Sequence, residues 1–273
     1  MFVANNISLL NSFGKLTKNK TAKNELTEKI SSGKRINRAA DDSAGLSISQ
    51  SFKAQVRGID MAERNIQDGI SMIQVADGAM EEITKTLHRM KEASVQAANG
   101  TLTDEDRGAI EEEFKNLKES IDKIVNDTEF NEIKLLNEDK TLNLQIRDNP
   151  YASYDLTLTD NSCIALGIDD INVSTVGSSN EANGKIDEAL NRITSNRTEL
   201  GGHLNNLQHS YNDVSNAKIN LTASLSQVED VNMATALMQS VKNNVLLNCN
   251  KSMLTSAKLN NENVNTVLNK WIS

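Results

Sequence analysis

The stretch Lys185–Val228, KIDEALNRITSNRTELGGHLNNLQHSYNDVSNAKINLTASLSQV, decides the fold. In it Ile186, Leu190, Ile193, Arg197, Leu200, Leu204, Leu207, Tyr211, Val214, Lys218, Leu221, Leu225 and Val228 follow one another in alternating steps of four and three. That alternation keeps one face of a helix turned to a partner over many turns, so it marks a heptad seam rather than an ordinary globular helix. Arg197 and Lys218 are its two charged interruptions. No cap or breaker divides the run, which predicts one long coiled-coil helix.

Upstream, a second seam passes through Ile66, Ile70, Ile73, Ala76, Met80, Ile83, Leu87 and Met90. Asp41, Asp42 and Ser43 offer N-cap oxygens before it and Asn99-Gly100 a stop after it, so a continuous helix is expected from about Asp42 to Ala98. Gly45, Gly58, Gly69 and Gly78 lie inside that helix. Each costs about 1 kcal/mol relative to Ala, and the expected compensation is close approach of a neighbouring backbone. A third helix starts at Thr103-Asp-Glu-Asp106, a capping-box pattern, and continues through Ile110, Phe114, Leu117, Ile121 and Ile124. It is expected to return against the second helix.

Between the helical halves the period changes to two. Leu142, Leu144 and Ile146, then Tyr154, Leu156 and Leu158, alternate with polar residues on either side of the turn DNPYAS, which reads as a β-hairpin. The segment ALGIDDINVSTVGSSNEANG, residues 165–184, reads as irregular.

Aromatic residues are only 3% of 273 residues, one Pro is present, and mean hydropathy is −0.46. Large core-filling side chains are scarce and little forces a helix to end. The fold class is therefore mainly α: an elongated antiparallel helical coiled coil or bundle with one small β-hairpin. The two ends carry only narrow apolar stripes: Ile7, Leu10, Phe13, Ala22, Leu26 and Ile30 at one, Ala234, Met238, Val241, Val245, Val264, Leu268 and Trp271 at the other. Ordering a residue costs more than so few side chains return when no partner covers them. The termini are expected to be disordered in the monomer and helical once assembled.

A net charge of −8 and a pI near 5.1 argue against nucleic-acid binding. Residues 1–40 are rich in Lys and Arg, whereas 104–139 are acidic, a pattern that suits either surfaces meeting between copies or two solvated faces. No stretch is apolar enough for a membrane span, and residues 1–24 show neither a secretory core nor the Arg content of a transit peptide. Cys163 and Cys249 make no C-x-x-C. His88, His203 and His209 form no ligand set, and no H-E-x-x-H occurs, so neither an enzyme nor a metal or other cofactor is expected. His88 and Glu92, at i and i+4, read as a surface pair.

Five segments, SSGKRINRAADDSAGLSIS, RNIQDGISMIQVADGAMEEI, VQAANGTLTDEDR, TEFNEIKLLN and LSQVEDVNMATALMQ, together resemble bacterial flagellins, in the family's order and over nearly the whole chain. LQIRDNPYASYDLTLT and ALGI fall where that family has its hairpin, and little room is left for outer variable domains, as in a minimal flagellin. The ending NVNTVLNKWIS departs from the family's Pro-containing, Leu-rich ending.

The resemblance implies a structural subunit of the flagellar filament, self-assembling into a helical tube for swimming; a hook-filament junction protein or a specialised minor flagellin is the alternative. It implies residues 1–44 as N-terminal polymerisation arm and connector, 45–180 as the first part of the core domain, 181–233 as its C-terminal helix and 234–273 as the C-terminal arm. Filament packing falls to Ile7, Leu10, Phe13, Leu26, Ile30, Gly33, Arg35, Arg38, Asp41, Asp42, Met238, Val241 and Val245, the connector's charges pairing between copies. Implied partners are copies of itself, an export chaperone, a cap protein and hook-filament junction proteins, outside the cell. An animal Toll-like receptor contact would map to Arg89 and Glu113 in LHRMKEASVQ and the following helix, with Ala93 where the family has Leu.

Overall fold

The computed structural model describes residues 7–149 and 153–272. Pro150 and the turn around it, and the side chains of Ile7, Leu268 and Trp271, lie outside the described residues. The elements in order are α1 (Ile7–Ser32), α2 (Ser43–Ala97), α3 (Asp104–Asp127), β1 (Glu129–Phe130), β2 (Ile133–Lys134), β3 (Lys140–Gln145), β4 (Ser153–Leu158), α4 (Cys163–Leu166), α5 (Val176–Glu229) and α6 (Met233–Ile272). They fold as two compact units: Met1–Ala54 with Leu221–Ser273, and Gln55–Asn220. Among the described residues no helix is long and apolar enough to cross a membrane.

The central unit, 55–220, is built on the seams. Along α5, Ile186, Ile193, Leu200, Leu207 and Val214 are buried at every seventh residue, and the alternate seam positions Leu190, Arg197, Leu204, Tyr211 and Lys218 are half-buried. Along α2, Ile66, Ile73, Ala76, Met80, Ile83, Leu87 and Met90 are buried. The two interruptions meet charges on α2. Arg197 Nε lies 2.8 Å from Asp77, and Lys218 Nζ lies 2.7 Å from Asp60 and 2.9 Å from Glu63. Lys91 to Asp187, at 2.5 Å, extends the ladder with its polarity reversed. Sliding the helices by a turn would separate all these pairs, so the charges specify the antiparallel register that the apolar seam leaves open.

Helix α3 begins with a complete capping box: Thr103 Oγ1 accepts from the Asp106 N–H while the Asp106 carboxylate accepts from the Thr103 N–H. Its Ile110, Phe114, Ile121 and Val125 are buried. The buried Arg107 donates to the carbonyls of Ala97 and Asn99, satisfying orphan acceptors where α2 ends.

The hairpin pairs Leu142 with Leu156 and Leu144 with Tyr154 in antiparallel register. His203 holds it to α5: Nδ1 is 2.7 Å from the Tyr154 hydroxyl, and Nε2 is 3.1 Å from the Thr157 hydroxyl. Two of the α2 glycines make room for it. A Cβ on Gly58 would meet Asp148 at 2.9 Å, and one on Gly69 would meet Leu144 at 2.7 Å. The approach expected from backbone is thus made mainly by side chains, and Gly78 faces open space.

Two expectations need correction. A second, tight hairpin, β1–β2, precedes the expected one, turning through Asn131 and Glu132 at φ 51° and 65°. The segment read as irregular contains α4, ended by Gly167 at φ 76°, and the first turns of α5. Helix α5 starts at Val176 because Thr175 and Ser178 cap it reciprocally, each hydroxyl accepting from the other residue's N–H. Cys163 is a buried free thiol, pushed up to about 12 by burial first and then by the neighbouring Asp122, and so inert; Cys249 is free and exposed.

Candidate self-assembly surface and connector

The other unit holds α1, the connector 33–42, the first turns of α2, the end of α5 and α6. Helices α1 and α6 pack against each other. The positions of α1 that are partly withdrawn from solvent along its length include Ser12, Leu16, Asn19, Lys23, Leu26 and Ile30, and those of α6 include Ala236, Ser240, Asn243, Leu247, Asn250, Leu254 and Ala257. Both sets keep the four-three alternation, but eight of these thirteen residues are small or polar. Among the described residues of these two helices only Ala236, Leu247 and Asn250 are buried.

The apolar residues singled out in the sequence divide between the two faces. Leu26 and Ile30 are half-buried toward the seam. Leu10 is 77% exposed and Phe13 61%, and on α6 Met238, Val241 and Val245 are 66%, 62% and 61% exposed. Ile7 is the first residue of α1. The stripe visible in the sequence of α6 is therefore its outward face, and the inward face is the more polar one.

The connector is closely tied to the end of α5. Lys34 and Asp230 form an antiparallel bridge, the Val231 N–H donates to the Gly33 carbonyl at 2.9 Å, and the Arg35 N–H donates to the Glu229 carbonyl at 2.6 Å. Gly33, at φ 71°, takes the left-handed conformation that turns the chain out of α1 into this pairing. Arg35 also donates from Nη2 to the Val228 carbonyl. The Glu229 side chain is buried and receives two ammonium groups, Lys34 at 2.6 Å and Lys53 of α2 at 2.6 and 2.7 Å. Burial pushes the Glu229 carboxyl up, but the Lys34 and Lys53 hydrogen bonds and charges outweigh it and hold the group below its ordinary value.

The remaining connector charges have partners within the chain. The Asp41 carboxylate accepts from the backbone N–H groups of Arg38 and Asn37, which hold its pKa low, and lies 3.6 Å from Lys29. Arg38 pairs with Glu28 at 2.9 Å. Asp42 is the N-cap of α2, accepting from the Gly45 N–H. A Cβ on Gly45 would strike the Asp42 and Ile36 side chains at 2.5 and 2.6 Å, so any larger residue here would have to displace the capping carboxylate. Pairing between copies, expected of Arg35, Arg38, Asp41 and Asp42, thus competes with internal partners.

In the central unit, Arg89 and Glu113 are joined at 2.8 Å, which raises the Arg89 pKa, and Arg89 also reaches Glu92 at 3.0 Å. Ala93 is buried, so it offers no surface to an anchor. His88 is exposed, and among the described residues no cluster of His, Cys, Asp or Glu suits a metal.

Residues 3–141 match the family described as the bacterial flagellin N-terminal helical region, and residues 184–268 match the bacterial flagellin C-terminal helical region. The chain belongs to the bacterial flagellins. A flagellin of Halalkalibacterium halodurans is 40% identical over 262 residues, covering 94% of this chain and 96% of that one. The flagellin of Bacillus subtilis is 36% identical, covering 97% and 98%. The crystal structure of Bacillus cereus flagellin superposes with a TM-score of 0.50 at 28% identity, covering 59% of this chain and 94% of that one. This flagellin is accordingly a structural subunit of the bacterial flagellar filament, and relatives named as flagellins over nearly the whole chain do not favour the junction-protein alternative.

Lys34, Lys53 and Glu229 escaped the sequence reading. Only the antiparallel register, which carries α5 past the first turns of α2, brings them together.

Proposed function

We propose that the filament forms by folding of its own arms, α1 and α6, as one subunit meets the next. The supporting observation is the outward face carrying Leu10, Phe13, Met238, Val241 and Val245, all more than 60% exposed in the single chain. Those side chains gain burial only against further copies, and the thin inward seam returns too little to offset the entropy of ordering two long helices. Residues 1–44 and 234–273 then serve as arms and connector, and 45–180 with 181–233 as the core they carry. Because such contacts do not close into a ring, they extend as a helical filament outside the cell.

The same outward face of α6 suits an export chaperone, which would shield it before assembly, while a cap and hook-filament junction proteins would bound the polymer. An animal Toll-like receptor would meet the core at Arg89 and Glu113. There the buried Ala93 lowers recognition, and enlarging it to Leu would overfill the interior instead of adding an anchor.

Electron microscopy of the full chain under polymerising conditions tests the reading. Long uniform tubes are expected from the wild type and none from Val241→Asp, whose monomer should melt within about 0.5 kcal/mol of the wild type. Tubes of normal length from Val241→Asp would refute the role given to that face.

A further inference from the structure

The connector joint contains a buried carboxylate that no packing role explains. Glu229 is 4% exposed and ends α5; its two lysines come from different elements, Lys34 from the connector and Lys53 from α2. Around it the two links of the chain, 33–35 and 229–231, run antiparallel and share backbone hydrogen bonds. Helix α1 ends at Ser32 and α6 starts at Met233, so both arms leave from this paired strip. Whatever fixes the strip fixes where the arms begin relative to each other.

Three features make the carboxylate, rather than the bridge alone, the fixing element. Two backbone hydrogen bonds between short links are weak by themselves, because each replaces a hydrogen bond to water. The Glu229 carboxylate connects a third element, α2, which the backbone bridge does not reach. Without its charge, Lys53, with only 25% of its side chain exposed, would be left half-buried and unpaired beside Lys34. Lys34, 45% exposed, can turn to water; Lys53 has less freedom to do so. The other charged groups facing the joint are Arg35, committed to the Val228 carbonyl, and Asp230, which adds to the field on Lys34.

We infer that Glu229 is a positioning residue for assembly: by neutralising Lys34 and Lys53 together it locks the two links, so that the roots of α1 and α6 are held side by side while the arms fold against the next subunit. This rests on the filament reading and adds to it the residue that couples the arms. Arms presented separately would each have to find the other during docking, and assembly would slow and weaken.

The test uses the full chain and its critical concentration for polymerisation, measured by sedimentation of assembled filaments. Glu229→Gln should raise it at least about tenfold, since it dissolves the link between the connector, α5 and α2 and leaves the half-buried Lys53 without a counter-ion. Glu229→Gln combined with Lys53→Gln relieves most of the stranded charge without restoring the lock, so its critical concentration should stay raised, whereas stranded charge alone as the cause of the loss would give recovery. The wild type should also lose assembly as pH falls through the Glu229 titration, and the loss across that range should be smaller in Glu229→Gln. Circular dichroism of each monomer checks that the core still folds. Unchanged assembly of Glu229→Gln, or a double variant that assembles like the wild type, overturns the inference. Failure of the wild type to polymerise would instead strike down the filament reading, and this inference with it.

Discussion

Two helical pairs in this flagellin share one spacing and differ in what fills it. In the central unit the four-three positions of α2 and α5 hold Ile, Leu, Met and Val, and the two charged ones meet carboxylates at 2.7 to 2.9 Å. In α1 and α6 the same positions hold Ser12, Asn19, Lys23, Ser240, Asn243 and Asn250 among a few leucines, and the larger apolar side chains face outward. Heptad spacing therefore sets which face turns inward, but composition at those positions decides whether the pair can stand alone. One pair is a core; the other is half of an interface.

The sharpest way to break this contrast is to damage the core. Phe114→Ala empties a fully buried site on α3 and should cost about 3–5 kcal/mol in thermal or urea unfolding of the monomer. Loss of that size from a comparable truncation in α1, such as Phe13→Ala, would erase the distinction between the pairs. A smaller effect should appear with pH. The Glu229 carboxyl is held below its ordinary value of 4.5, so its contribution to the joint is complete above that value and is lost as pH falls through the lower native one. Hydrogen exchange at the Arg35 and Val231 amides should accelerate there; if it did so only above pH 4.5, the sign would be wrong. The smallest effect concerns a cap: Thr103→Ala removes the hydroxyl half of the box at α3, leaving the backbone N–H to Asp106, and should cost about 1 kcal/mol in the core's unfolding with no change in filament formation.

Much of the core was legible because its signals are local. Seam spacing, the Thr103 box and the alternation of Leu142, Leu144, Leu156 and Leu158 each act within a few residues, and all appear where expected. What escaped was either locally atypical or remote. The start of α5 uses Ser178 where a capping box normally has Glu or Gln, so its pattern went unread. The β1–β2 turn places Glu132 at positive φ, which carries none of the Asn-Gly signature of such turns. The inward faces of α1 and α6 are too polar for hydropathy to single out, so the visible stripe of α6 proved to be the outward one. The Lys34, Lys53 and Glu229 cluster joins residues far apart in sequence, and only the helix register unites them.

Hydrogen exchange on α1 and α6, in dilute monomer and again in assembled filaments, addresses the coupling of arm folding to assembly most directly. The account predicts rapid exchange along both helices in the monomer, strong protection in the filament, and slow exchange along α2 and α5 in either state. Protection of α1 and α6 in the monomer equal to that of the core would contradict it.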